Sequence, residues 1–180
     1  EKLITSKGKK MIGWDDILDG GIAPNATVMS WRGMSGGTKA AKLGHQVIMT
    51  PSNFAYLDLY QGDPLVEPET YSMLRLNTCY QFEPVPDGVD PKYILGGQGN
   101  LWTESVPNDR QAEYMTWPRA MALAEVFWSP KDKRNWKDFL TREQYRFNYM
   151  DVARVKYARS QYDAIISGVK GADDSLEVEL

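Results

Sequence analysis

From Lys9 onward, short apolar runs alternate with polar or glycine-rich stretches and then with helical spacing, which is the pattern of βα units with parallel strands. The first predicted strand is Lys10 to Trp14, leading into a helical pattern over Asp15 to Leu18. The second is Thr27 to Trp31, followed by Gly36, Gly37 and a small-residue helix from Thr38 to Leu43. The third is Gln46 to Thr50, stopped by Pro51. Asn53 to Tyr60 then reads as an aromatic-rich loop rather than a regular element, and a helix is expected from Glu69 to about Tyr80. The fourth strand is Tyr93 to Leu95, running through glycines to Trp102. Arg110 to Phe127 has helical periodicity that Pro118 should kink.

Past Pro130, Trp136 to Ile166 reads as one long amphipathic closing helix, about 136–167, ended by Gly168 and Gly171. Phe139, Tyr145, Phe147, Tyr149, Val152 and Tyr157 are its candidate buried face. The alternation in Ser175 to Leu180 resembles the first strand of a further element. The expected organisation is one α/β unit over 1–168, with 169–180 as the cut-short start of whatever follows. Four βα units are half of a TIM (β/α)8 barrel, so the fold expected is the C-terminal half of such a barrel plus a long helix. Glu1 to Ser6 reads as a last helical turn with Gly8 as its C-cap, so the chain is expected to start inside a longer protein. An open four-stranded piece would leave two unpaired edges, which invites the missing N-terminal half or a second copy as partner.

Composition narrows the functional classes. The chain has 180 residues, 42% hydrophobic and 25% charged, which suits a packed domain. A net charge of −3 without a basic block disfavours nucleic acid, and no apolar run is long enough to span a bilayer. With Cys79 the single cysteine, neither an intrachain disulfide nor a thiolate zinc cluster can form, and no cofactor or metal is expected. Six Trp and ten Tyr exceed ordinary core needs and point to surfaces with one apolar and one wet side, as sugar sites have.

In parallel barrels the chemistry sits where strands run out. Here those places are Gly13-Trp14-Asp15-Asp16, Ser30-Trp31-Arg32-Gly33, Tyr56-Leu57-Asp58 and Leu101-Trp102-Thr103-Glu104. Three Trp, one Tyr and two carboxylates would converge on one mouth, suited to stacking sugar faces and accepting hydroxyl hydrogen bonds. Other polar residues have plainer readings. His45 precedes a strand, on the face away from the site, and is read as structural. Glu125 is expected to be a half-buried acid with Arg119 or a backbone group as partner. Arg32 could touch substrate, but an ion pair with Asp15 is favoured. Asn25-Ala26-Thr27 matches a glycosylation acceptor, too short a motif to carry weight.

These motifs, in this order, resemble glycoside hydrolase family twenty, the β-N-acetylhexosaminidases, from the fifth barrel strand to the end of the catalytic domain. The resemblance implies that Trp14, Trp31 and Trp102 box in the 2-acetamido group and ring of one sugar. It implies that Tyr56 donates its hydroxyl to the acetamido carbonyl, and that Asp58 and Glu104 bond hydroxyls such as O4 and O6. In that family the substrate's own acetamido oxygen is the nucleophile. The family's adjacent Asp-Glu pair, which polarises the acetamide and supplies the general acid, follows no strand here: Asp15-Asp16 and Asp173-Asp174 are the only paired acids. The family's substrate-binding Arg of the first strand is also absent. Where the resemblance leads one to expect Glu, Asp16 stands, and it is read as supporting the site or the helix N-terminus.

The expected function is therefore that of a fragment of an exo-β-N-acetylhexosaminidase, inactive alone, acting on β-linked N-acetylhexosaminides or chitooligosaccharides. A stand-alone noncatalytic carbohydrate-binding or interaction module is the alternative. A periplasmic or secreted location follows by family analogy only.

Overall fold

The computed structural model describes residues 1–162 and, beyond them, the backbone of two strands, β5 (Ile165–Val169) and β6 (Leu176–Glu179), which pair antiparallel. The main sheet is β1 (Ile12–Trp14), β2 (Thr27–Ser30), β3 (Val47–Met49) and β4 (Ile94–Gly97), in that order and parallel throughout. The helices are α1 (Lys2–Ser6), α2 (Ser35–Lys42), α3 (Ser52–Ala55), α4 (Leu76–Gln81), α5 (Asp109–Thr116), α6 (Arg119–Trp128) and α7 (Trp136–Ala153). Asp15–Leu18 is one 3₁₀ turn.

The two faces of the sheet are covered differently. Val28, Val47 and Met49 are fully buried. On that side α2 lies close because its core-facing positions are small: Gly37, Ala40 and Ala41 are buried, and a side chain added at Gly37 would come within 3.1 Å of both Ser30 and Val47. The other face carries the register row Trp14, Met29 and Ile48, whose side chains are only half-buried. Between β3 and β4 the register slips by one residue: Val47 pairs with Ile94 but Ile48 pairs with Gly96, whose φ of 138° suits glycine. The rest of the core joins α4, α6 and the start of α7, where Phe54 stacks on Phe82 at 5.1 Å and Tyr80 packs on Phe139 at 4.7 Å.

Three expected elements need correction. The helix predicted from Glu69 begins only at Leu76, because residues 70–74 run beside Tyr60: Tyr60 N–H donates to Ser72 O at 2.9 Å and Leu74 N–H to Tyr60 O at 2.7 Å. The aromatic loop after Pro51 contains a single helical turn, α3. The closing helix stops at Ala153 rather than near 166, since Arg154 takes the left-handed conformation at φ 58° and ends it, with Val155 N–H returning to Met150 O at 2.9 Å. Ile165–Val169 is strand, not helix.

The buried face of α7 also differs from expectation. Phe139, Glu143, Phe147 and Met150 face inward, whereas Tyr145, Tyr149 and Val152 are exposed. Burial pushes the Glu143 carboxyl up to about 7. Its Oε2 accepts only a long 3.3 Å hydrogen bond from Gln161, and Oε1 has no partner. A carboxyl that holds its proton more tightly when folded contributes stability that is present below the ordinary glutamate range and is lost as pH rises through about 7. Glu143→Gln is therefore expected to flatten the fall in melting temperature between mildly acidic and neutral pH, which thermal unfolding at a series of pH values measures. Equal slopes in the two proteins would contradict it.

Candidate functional site

The site is assembled at the C-terminal ends of the strands. Trp14 is the last residue of β1, and Trp31 immediately follows β2. The turn that projects Trp31 is tied down by Ser30, whose hydroxyl donates to Gly33 O at 2.7 Å and accepts from Gly37 N–H at 2.8 Å. Asp15, 1% exposed, fixes the same turn: its Oδ2 accepts from the backbone N–H of Trp31 (3.0 Å) and Arg32 (3.2 Å), and its Oδ1 pairs with Arg32 Nε at 2.6 Å. Arg32 also reaches Asp19 at 3.1 Å, so it belongs to the support of the turn, as its predicted pairing with Asp15 required. A side chain at Gly36 would run into Asp15 Oδ2 at 2.7 Å, so glycine there leaves room for the buried acid.

Tyr56 and Trp102 are positioned together. An isolated parallel bridge joins Tyr56 to Asn100, with Asn100 N–H donating to Ala55 O at 2.8 Å and Leu57 N–H to Asn100 O at 2.6 Å. Asn100 is itself held by Thr50, to whose hydroxyl it donates at 2.6 Å. Two residues on, the Trp102 ring lies 5.6 Å from Trp14 and 6.1 Å from Tyr56, tilted to both.

All six residues singled out from sequence, Trp14, Trp31, Tyr56, Asp58, Trp102 and Glu104, line one cavity of about 520 Å³. Asp16, Thr70, Tyr71 and Ser105 complete it. Asp16 does more than support a helix end, because its Oδ2 accepts from the Trp31 indole N–H at 2.8 Å and so sets the plane of that ring, a bond that holds its own carboxyl below the usual range. Burial raises the Tyr56 hydroxyl, partly countered by hydrogen bonds from Trp102 and Asn100, so this phenol stays a neutral donor at any working pH. Burial likewise raises Asp58, against the lowering effect of the Tyr71 hydroxyl. Thr70 and Tyr71 had no local signal in the sequence, since each reaches back to Asp58 across more than ten residues.

The remaining polar residues lie elsewhere. His45 Nδ1 meets Ala26 O at 3.0 Å at the opposite end of the sheet. Glu125 takes side-chain partners other than the expected Arg119 or backbone group: it accepts from Tyr80 at 2.8 Å and pairs with Arg142 at 2.7 Å, while Nη1 and Nη2 of Arg119 are engaged by backbone carbonyls. Among the described residues no group of three or more potential ligands is placed to hold a metal ion, and no helix is long and apolar enough to cross a membrane.

The chain as a whole has counterparts among known proteins. The model of the glycosyl hydrolase family 20 catalytic domain matches residues 1–131. The β-hexosaminidase of Porphyromonas gingivalis is 43% identical over 162 residues, which is 87% of this chain and 21% of that protein. The exo-β-N-acetylglucosaminidase of Vibrio harveyi, solved in complex with N-acetylglucosamine, superposes with a TM-score of 0.75 at 30% identity over 87% of this chain and 26% of its own. The β-N-acetylhexosaminidase of Streptomyces coelicolor shares the fold, with a TM-score of 0.81 at 22% identity over 89% of this chain and 35% of its own. The four-stranded sheet is thus part of a (β/α)8 barrel of the glycosidase type. The chain belongs to glycosyl hydrolase family 20. It spans about a fifth of the length of the Porphyromonas relative.

Proposed function

We propose that this chain forms the sugar-recognising wall of an exo-β-N-acetylhexosaminidase that removes terminal β-linked GlcNAc or GalNAc with retention, using the substrate's own acetamido oxygen as nucleophile. The observation that carries the reading is the convergence of three Trp, Tyr56, Asp58 and Glu104 on a single cavity. Trp14, Trp31 and Trp102 pack the acetamido methyl and the apolar ring face. Tyr56, kept protonated by burial, donates to the acetamido carbonyl and holds its oxygen beneath the anomeric carbon. Asp58 and Glu104 accept ring hydroxyls. Fixing the internal nucleophile in this way contributes through orientation, worth up to about 7–11 kcal/mol in the best intramolecular cases.

Attack of the acetamido oxygen breaks the glycosidic bond and forms an oxazolinium, which water then opens. Protonating the leaving oxygen requires a general acid, and polarising the acetamide N–H requires a carboxylate beside it. No adjacent Asp-Glu follows a strand in this sequence, so both come from outside these residues. Ile12 on β1 and Leu95 on β4 are exposed at the two open edges of the sheet, where a complementary half-barrel would pair and where a second copy of the chain is the competing occupant.

The absence of that pair also favours a second reading, a carbohydrate-binding module without hydrolytic activity. Both readings require binding, and they part on turnover of the complete protein. The 180-residue chain is expected to bind N-acetylglucosamine or its thiazoline analogue in calorimetry, yet to release no chromophore from an aryl β-N-acetylglucosaminide. Turnover well above background by the chain alone would falsify the assignment of the acids to another segment.

A further inference from the structure

Asp58 sits between two carbonyls claimed by Arg119, and a segment with no regular structure lies against it. Thr70 donates its hydroxyl to Asp58 O at 2.7 Å, and Tyr60 N–H and Leu74 N–H bond across the same two stretches. This short ladder leaves the Tyr71 backbone little freedom. Its ring is 70% exposed along the cavity rim, but its hydroxyl turns inward and donates to Asp58 Oδ2 at 2.9 Å. The other carboxylate oxygen, Oδ1, is buried and accepts no hydrogen bond of normal geometry, although the backbone N–H groups of Asp58 and Trp102 lie near enough to favour the charged carboxylate. Rotation of a carboxylate about its last torsion is soft, so a buried one keeps a defined plane only if a donor holds it.

We propose that Tyr71 is the positioning residue for Asp58: its hydroxyl fixes the plane of the carboxylate, so that the carboxylate presents a preset acceptor to a hydroxyl of the bound sugar. This rests on the sugar-binding reading of the cavity. The groups that face Asp58 are few. Tyr56 and Tyr71 flank it, the backbone N–H groups of Asp58 and Trp102 and the Arg119 guanidinium favour its charged form, and Glu104 is a further negative charge acting on Tyr71. Removing the Tyr71 hydroxyl takes away a bond that opposes the effect of burial, so the Asp58 carboxyl would hold its proton to higher pH.

The test is a binding cycle on the full-length protein that carries this chain, with N-acetylglucosamine titrated by calorimetry from acidic to neutral pH for wild type, Tyr71→Phe, Asp58→Asn and the double variant. Tyr71→Phe is expected to weaken binding about tenfold at neutral pH, in line with losing a hydrogen bond to a charged group. The pH at which affinity halves should move upward, and adding Asp58→Asn should remove that pH limb while costing no more than Asp58→Asn alone. A merely structural role would lower the melting temperature and leave the pH limb in place. Unchanged affinity and pH limb in Tyr71→Phe, or independent losses in the double variant, would overturn the proposal. Failure of the wild type to bind the sugar at any pH would instead overturn the reading of the cavity itself.

Discussion

Arg119→Met is expected to lower the free energy of unfolding by about 3 kcal/mol or more, the range seen when one partner of a buried charged network is removed. Arg119 is 0% exposed, and its guanidinium donates to four backbone carbonyls: Leu59 at 2.9 Å, Leu74 at 3.0 Å, Leu57 at 2.6 Å and Met115 at 2.7 Å. Burial brings it down to about 10, so it is charged throughout the neutral range. Methionine fills much of the same volume but donates nothing, leaving all four carbonyls dry and unpaired. Lysine is expected to rescue only part of the loss, because a single ammonium cannot match the planar fork. Urea denaturation of the three proteins checks this, and a Met variant within about 1 kcal/mol of wild type would show that the carbonyls find other donors.

Trp102→Ala is expected to give the second large effect, on binding rather than on stability. The ring is 38% exposed and lies against Trp14 and Tyr56, so truncation removes the centre of the aromatic wall while disturbing little of the core. Affinity for N-acetylglucosamine should fall by about 30-fold or more, corresponding to about 2 kcal/mol for an aromatic at the centre of a binding surface. Trp128→Ala is the matched control, since Trp128 is 91% exposed and not part of the cavity lining. Calorimetry on both variants separates the cases, and similar losses in the two would mean that the wall is not where the sugar sits.

The site was more legible than the fold's boundaries, for identifiable reasons. Strand ends carry their chemistry in contiguous residues, so Trp14, Trp31, Trp102 and their acidic neighbours could be read from short windows. Tyr71 could not, since its contact with the site is a hydrogen bond to a residue 13 positions earlier, made by a segment whose helical spacing is overridden by its pairing beside Tyr60. The long helix misled for another reason. Its aromatic residues occupy two opposite faces, and the inward face includes an acid, Glu143, where an apolar residue is the usual occupant. Periodicity assigned both sets of aromatics to one stripe. The helix end at Arg154 was equally hidden, because a left-handed cap is normally announced by glycine or asparagine.

The grip of Arg119 on the carbonyls of Leu57 and Leu59 acts as a rail under Asp58. Because the rail holds main chain, its fit is indifferent to which side chain stands between those two carbonyls. On the sugar-binding reading, preference at that position can therefore drift by single substitutions without rerouting the loop, whereas loss of the guanidinium fork loosens the path of the chain itself. Selection on such a site would keep the scaffold constant and vary only what it displays.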